Sequence, residues 1–266
     1  MQHERHAFKR HEMKIRLAET PEEIRTAQRL RYHVFHEECG AKTTSFQGID
    51  EDRFDAVAEH ILVIEPFGVE ASDFALADGN LVGTYRLITE ASAKSVGGFY
   101  SQAEYDLQPL LARKSELRFL ELGRSCILKR ARGTAVIELL WQGIWDFVRR
   151  HRIDVMLGCA SFEGTDPSAH AEALSFLAHN VATPEDWRVK AQPERYHDMN
   201  LAPKEAYDGK RAIANLPPLI KGYLRLGCYF GQGAVVDHEF NTTDVLVILP
   251  VAAINPRYFA RFGNPV

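Results

Sequence analysis

The sequence predicts an α/β chain of the α+β kind, in which strands and helices are mixed along the chain. Three observations carry this. Apolar runs of strand period alternate with amphipathic segments of helical period, turn residues punctuate them, and no internal repeat or low-complexity linker interrupts the series. With 266 residues, 45% of them hydrophobic, the chain can bury a sizeable core, and the reading is one domain over residues 14–266.

Ile15-Arg16-Leu17 alternates as a short strand. Thr20 then caps a helix whose first position is Pro21, and Glu23 completes a capping box. Ile24, Ala27, Leu30, Val34 and Phe35 carry that helix to about residue 38. A polar loop over 39–55 precedes strands at 60–65 and 73–77. Residues 80–89 form a hairpin partner, with Ala77-Asp78-Gly79-Asn80 as the turn. After a short helix or turn near 105–111, a strand spans 119–128. The strongest helix covers 134–150, with Ile137, Leu140, Ile144 and Phe147 on its apolar face and a basic C-terminal end. A buried strand at 155–162 leads to a helix opened by Asp166-Pro167 and running through 179. A helix at 215–226 and a strand at 242–250 close the series.

Composition excludes several classes. Net charge is −4, so no basic balance advertises nucleic acid. The longest apolar run, at 245–254, is half the roughly 20 residues a bilayer span needs. Cys39, Cys126, Cys159 and Cys228 form no CxxC pair, which excludes a zinc ribbon or dithiol site, and the apolar surroundings of three of them favour reduced, buried thiols and a cytosolic chain. The histidines lack ligand spacing, so no metal is expected. No Gly-x-Ser-x-Gly elbow supports a serine hydrolase, and no His-x-x-x-x-Asp supports a glycerol-phosphate O-acyltransferase. Residues 1–13 read as a flexible basic tail without a signal-peptide apolar region; weak attachment to an anionic membrane surface is the second reading.

The chemistry concentrates between Glu121 and Ala135, where a strand runs into a basic, glycine-containing loop that opens the long helix. Amides at such a helix start lack internal partners and can receive phosphate oxygens. Arg130-x-x-Gly133-x-Ala135 resembles the (Arg/Gln)-x-x-Gly-x-(Gly/Ala) loop of the GNAT acyltransferase superfamily. The resemblance implies a mixed, mostly antiparallel sheet flanked by helices. It also implies a pantetheine phosphate held by Leu128, Arg130, Arg132, Gly133, Thr134 and Ala135. A bulge around 126–128 would offer a backbone N–H to the oxyanion, which singles out Cys126 and Ile127. Cys126 itself reads as a buried strand thiol rather than a nucleophile.

A second set, Arg31, Asp52, Asp55, Arg86, Glu121 and Arg124, resembles in order and type the acyl-homoserine lactone synthases, which are GNAT-like. There the equivalent charges shape the amino substrate's site and a docking surface for acyl carrier protein. Arg86 or Arg124 would then fork onto the acceptor's carboxylate. Each charge taken singly reads as a solvated face or an ion pair.

The widest resemblance rests on four blocks: Glu121-Leu-Gly-Arg-Ser-Cys126, the run from Leu157 to Pro167, the run from Leu216 to Gly227, and Phe240-Asn-Thr-Thr-Asp-Val-Leu246. Together they are similar to the bacterial L-ornithine Nα-acyltransferases. That family implies a cytoplasmic enzyme moving a 3-hydroxyacyl group from the 4′-phosphopantetheine of acyl carrier protein to the α-amine of L-ornithine, giving lyso-ornithine lipid. It further implies a C-terminal extension from about residue 164 and a peripheral membrane contact for product release. Lys129-Arg-Ala-Arg132 departs from the family, where a more varied loop is expected. Glu121, between Leu120 and Leu122, is the choice for proton acceptor or for orienting a water that does that work; an ion pair with Arg124 is its structural alternative. The rival functions are an acyl-homoserine lactone synthase, an acyltransferase for another amino acid, and a non-catalytic lipid- or carrier-protein-binding module.

Overall fold

A computed structural model describes residues 12–42, 48–68, 72–255 and 258, so the tail reading of residues 1–13 falls almost wholly outside the described residues. In chain order the elements are β1 (Lys14–Leu17), α1 (Pro21–Tyr32), a π-helical turn His33–Glu38, β2 (Glu59–Glu65), β3 (Ala75–Leu76), β4 (Gly79–Thr89), α2 (Glu90–Ser95), a 3-10 turn Tyr100–Ala103, α3 (Gln108–Arg113), β5 (Phe119–Ile127), a 3-10 turn Lys129–Ala131 and α4 (Thr134–His151). Then come β6 (Val155–Glu163), a 3-10 turn Pro167–His170, α5 (Ala171–Asn180), β7 (Tyr196–His197), α6 (Gly209–Asn215), α7 (Pro218–Leu226), β8 (Tyr229–Phe230), β9 (Ala234–Asp237) and β10 (Thr242–Pro250). The chain groups into two compact units, residues 1–88 with 123–150 and residues 89–122 with 151–266.

In the first unit the predicted capping box forms. The Glu23 amide donates to Thr20 Oγ1 at 3.2 Å, and the Thr20 amide donates to Glu23 Oε2 at 3.3 Å. The helix then runs through its π turn to Glu38, the extent the apolar spacing predicts. β1 pairs antiparallel with β2, and β2 with β4, with a register shift between Val63 and Ile64. The strand expected at 73–77 contracts to the two residues of β3. The Ser72 hydroxyl takes the Phe74 amide and the Ser72 carbonyl takes the Ala75 amide, so a turn consumes the first half. Leu76 faces Gly79 across a two-residue turn. At Gly79 φ is +149°, and a Cβ would stand 2.3 Å from the Glu65 carbonyl oxygen, so this close approach of two strands demands glycine. On α4, Leu140, Ile144 and Phe147 are buried as expected, but Ile137 is 42% exposed and Val136 takes the inward place beside Gly83.

In the second unit β5 runs parallel to β6, β6 pairs antiparallel with β10 along all of β6, and the order continues β10-β9-β7. Phe119, Leu120, Phe162, Leu174, Phe230, Leu246 and Ile248 fill its core. The helix expected over 215–226 begins only at Pro218. Leu216 precedes a proline and is held extended, so the chain ends α6, turns through Leu216-Pro217 and starts α7 afresh. The helix expected from Asp166 onward opens as a 3-10 turn before becoming α5.

Candidate active site

The first unit gathers the charges of the second sequence set other than Glu121 into one network. Arg31, 1% exposed, forks onto Asp55 at 2.7 and 2.9 Å and reaches Asp50 Oδ1 at 2.9 Å. Arg86 donates to Asp52 Oδ1 at 2.6 Å and lies 3.4 Å from Asp55. Arg124 closes the ring, donating to Asp50 at 3.1 Å and to Asp52 at 3.2 Å. The arrangement is possible only because each cation meets carboxylates, since an unpaired charge at this depth would cost several kcal/mol. Burial alone would raise the Asp55 carboxyl, but the hydrogen bonds and charge of Arg31 hold it well below the usual carboxylate range. His60 lies 3.7 Å from Asp55; burial, with the charge of Arg31, pushes its imidazole down to about 4. Asp50, absent from the sequence reading, completes the set. Its signal was the spacing of three aspartates, Asp50, Asp52 and Asp55, in one loop.

This geometry changes two expectations. Arg86 and Arg124 are both engaged by aspartates, so the fork expected to wait for an acceptor carboxylate is already filled by Asp52. Arg124 in β5 holds φ +52°, an irregularity two residues before Cys126. The Leu128 amide donates to the Val82 carbonyl at 2.9 Å, which removes it as an oxyanion donor. Cys126 is buried with Sγ 3.7 Å from the Leu30 carbonyl, and burial pushes its thiol well up, as a strand thiol rather than a nucleophile requires.

The basic loop follows directly. The Lys129–Ala131 turn is closed by the Ala131 amide on the Leu128 carbonyl at 2.8 Å, Arg132 is extended, and α4 begins at Thr134. By helix geometry the first-turn amides after Gly133, those of Thr134 and Ala135 included, have no intrahelical acceptor. A Cβ at Gly133 would meet nothing nearer than the Ala131 carbonyl oxygen at 4.0 Å, so the space over it is open. Arg130 pairs with Glu65 and Arg132 with Glu38, each arginine staying about half exposed, which tempers the positive cluster read from the sequence. Lys129 is exposed.

In the second unit Glu121, 2% exposed, accepts hydrogen bonds from the 100–103 turn. The amides of Tyr100 and Ser101 each donate to it at 2.7 Å, and the Ser101 hydroxyl does so at 2.5 Å. Its carboxylate therefore anchors the start of the 100–103 turn, a contact that neither of its sequence readings contains. Tyr100 and Ser101 carried no sequence signal, because nothing in a local pattern shows which turn a strand carboxylate will meet.

A strand that kinks at a left-handed residue, a glycine-bearing basic loop and a long helix opening from it define an acyltransferase of the GNAT class. Residues 30–142 match the family model described as an acetyltransferase (GNAT) domain. The fold is similar to that of the AHL synthase LasI, with a TM-score of 0.50 and 13% identity over 96% of each chain. Sequence narrows the class further. The chain is 48% identical over 257 residues to the L-ornithine N(alpha)-acyltransferase of Brucella abortus, covering 94% of this chain and 89% of that one. It is 48% identical over 255 residues to the protein of that name from Agrobacterium fabrum, covering 95% and 85%. The chain belongs to the L-ornithine Nα-acyltransferase family. Among the described residues no helix is long and apolar enough to cross a membrane.

Proposed function

We propose that the protein moves a 3-hydroxyacyl group from the pantetheine thioester of acyl carrier protein to the α-amine of L-ornithine, forming lyso-ornithine lipid. The observation that carries this reading is the near full-length identity to proteins named for ornithine acylation. In the reaction the neutral amine attacks the thioester carbonyl carbon, the tetrahedral oxyanion collapses, and the pantetheine thiol leaves as the amide forms. The amine loses a proton on the way, and the leaving thiolate takes one up. The open space over Gly133 and the first-turn amides of α4, which by helix geometry lack intrahelical acceptors, suit the pantetheine phosphate, which Arg130, Arg132 and Leu128 flank. The kink at Arg124, just before Cys126 and Ile127, is where a β5 amide would turn from the sheet toward the oxyanion. Arg31, Asp52, Asp55, Arg86 and Arg124 act as a rigid charged frame for the acceptor's side of the reaction. Glu121 serves as the proton acceptor, with the Ser101 hydroxyl as the link between its carboxylate and the amine.

Acyl carrier protein is acidic, and exposed Lys129, with the half-exposed Arg130 and Arg132, supports it as the donor through faster, salt-sensitive association. Product release implies a peripheral contact at the inner face of the membrane. The test is to incubate the purified protein with ornithine and either 3-hydroxyacyl carrier protein or the matching coenzyme A thioester. An amide-linked lysolipid should form, faster from the carrier protein and with a rate that falls as salt rises. Equal or better use of the coenzyme A donor overturns the carrier assignment, and product from S-adenosylmethionine in place of ornithine overturns the acceptor.

A further inference from the structure

The second unit holds a group of acids that the reaction above does not use. Glu104, Asp237 and Asp244 are all buried, and one carboxylate oxygen of each lies within 4.8 Å of the others. They come from three separate stretches: Glu104 just after the 100–103 turn, Asp237 at the end of β9 and Asp244 inside β10. Such a grouping opposes folding unless something compensates it, because like charges at this depth repel strongly.

The compensation inside the protein is partial. Arg195 Nη2 stands 3.8 Å from Glu104 Oε1, and the Cys159 thiol donates to Glu104 Oε2 at 3.0 Å. Asp237 Oδ1 accepts the amides of Glu239 and Phe240 at 2.7 and 3.0 Å, which fixes how its carboxylate is aimed. Asp244 is 6% exposed, and its Oδ1 is buried without a hydrogen-bond partner. An unpaired carboxylate oxygen at such depth is costly, and it points to a donor supplied from outside the chain. Burial and the neighbouring charge of Asp244 raise the Glu104 carboxyl, and burial raises that of Asp244 although Ser161 and Thr242 hydrogen-bond to its side chain.

The outside donor has a way in. A cavity of about 540 Å³ is lined by Tyr100, Glu104, Arg195, His197, Asp237 and Glu239 among others; of the three acids, Glu104 and Asp237 line it and Asp244 does not. Its acids outnumber its arginine, so a cation is favoured there. Two kinds of cation could answer three carboxylates. A hard divalent ion takes six to eight oxygen ligands, so at three carboxylates it would need bidentate binding or waters to complete its shell. An ammonium group carries one charge and three N–H donors, which match three carboxylates one for one. Glu104 also connects to the proposed proton path: the Cys159 thiol beside it lies 3.5 Å from the Ser101 hydroxyl, which itself donates to Glu121.

We infer that Glu104, Asp237 and Asp244 form the recognition site for a primary alkylammonium group, the side-chain end of the dibasic amino acid acceptor. This rests on the ornithine reading and deepens it. Holding the δ-ammonium in a buried acidic pocket keeps that nitrogen protonated and unreactive, so that the α-amine remains as the nucleophile.

The test compares L-ornithine with L-2-aminopentanoate, which has the same carbon chain but no side-chain ammonium. In wild-type protein, calorimetric titration should show binding of ornithine and none of 2-aminopentanoate at the same concentration. Loss of a charge-assisted hydrogen bond typically weakens binding by about 10- to 100-fold, so Glu104→Gln and Asp237→Asn should each raise the ornithine Kd and KM by that order. The KM for the acyl donor should not move, and the preference for ornithine over 2-aminopentanoate should narrow. Asp244→Asn, which relieves the unpartnered oxygen, provides the same reading should either of the others fail to fold. Folded variants with unchanged ornithine affinity and preference overturn the inference. So does calorimetric uptake of Mn²⁺ that the same substitutions abolish while ornithine affinity stays put. Selective ornithine binding without acyl transfer from any donor counts against the proposed reaction and leaves the pocket's assignment supported.

Discussion

His60 shows how much a single buried ionisable side chain can report. It sits within the Arg31–Asp55 pair, with its Nδ1 buried and unpartnered, and its folded-state value is pushed down from 6.5 to about 4. A histidine kept neutral in the fold but free to charge when unfolded stabilises the native state above about pH 6.5, and that stability drains away as pH falls toward 4. Asp55 acts in the next window, because its depressed carboxyl contributes above the ordinary aspartate value near 4 and fails only below it. The denaturant midpoint should therefore fall between pH 6.5 and 4, and His60→Gln should flatten that slope while leaving the steeper loss below pH 4. An unchanged slope in the variant would show that His60 is not the titrating group. At this scale the sequence was informative about which charges matter and silent about their partners. Arg31, Asp52, Asp55, Arg86 and Arg124 were singled out by type and order, and they do meet. Their mutual neutralisation depends on where α1, β4, β5 and the 50–55 loop come together, which no spacing encodes.

Elements were legible where their limits are set by local chemistry. The Thr20 capping box, the Ala77-Asp78 hairpin turn and the helix after Gly133 all follow from residues within a turn of the boundary. The misses arose where a competing local contact won: Ser72 against the start of β3, and Pro217-Pro218 against a continuous helix to residue 226. Glu121 belongs to this scale because it joins two elements, β5 and the 100–103 turn, through three hydrogen bonds. Glu121→Gln replaces one acceptor oxygen with a donor, so some loss of thermal stability is expected. If the residue is also the proton acceptor, kcat should fall by about 10²–10⁴ in protein verified as folded, with the donor KM little changed. Unaltered turnover per folded molecule across neutral pH would confine Glu121 to its anchoring role.

One unit carries the paired charges and the basic loop, and most of the chain after residue 150 supplies the second. The family model covers residues 30–142, whereas the identity to the ornithine acyltransferases runs through nearly the entire chain, including β6, α7 and β10. Their residues carry three of the sequence blocks that first marked the resemblance, and Asp244 of β10 is among the acids assigned to the acceptor. The GNAT fold class was readable because the strand-loop-helix unit compresses its chemistry into fifteen residues, Glu121 to Ala135. The acid pocket was not, because Glu104, Asp237 and Asp244 are drawn from distant strands and turns. Ornithine offers two nitrogens, and the proposed reaction acylates the α-nitrogen. Ornithine labelled with ¹⁵N at the α-position, turned over once with 3-hydroxyacyl carrier protein, should give an amide carrying the label, with one free carrier thiol released per amide. An acyl group found on the unlabelled δ-nitrogen, or carrier thiol released without any amide, would contradict it.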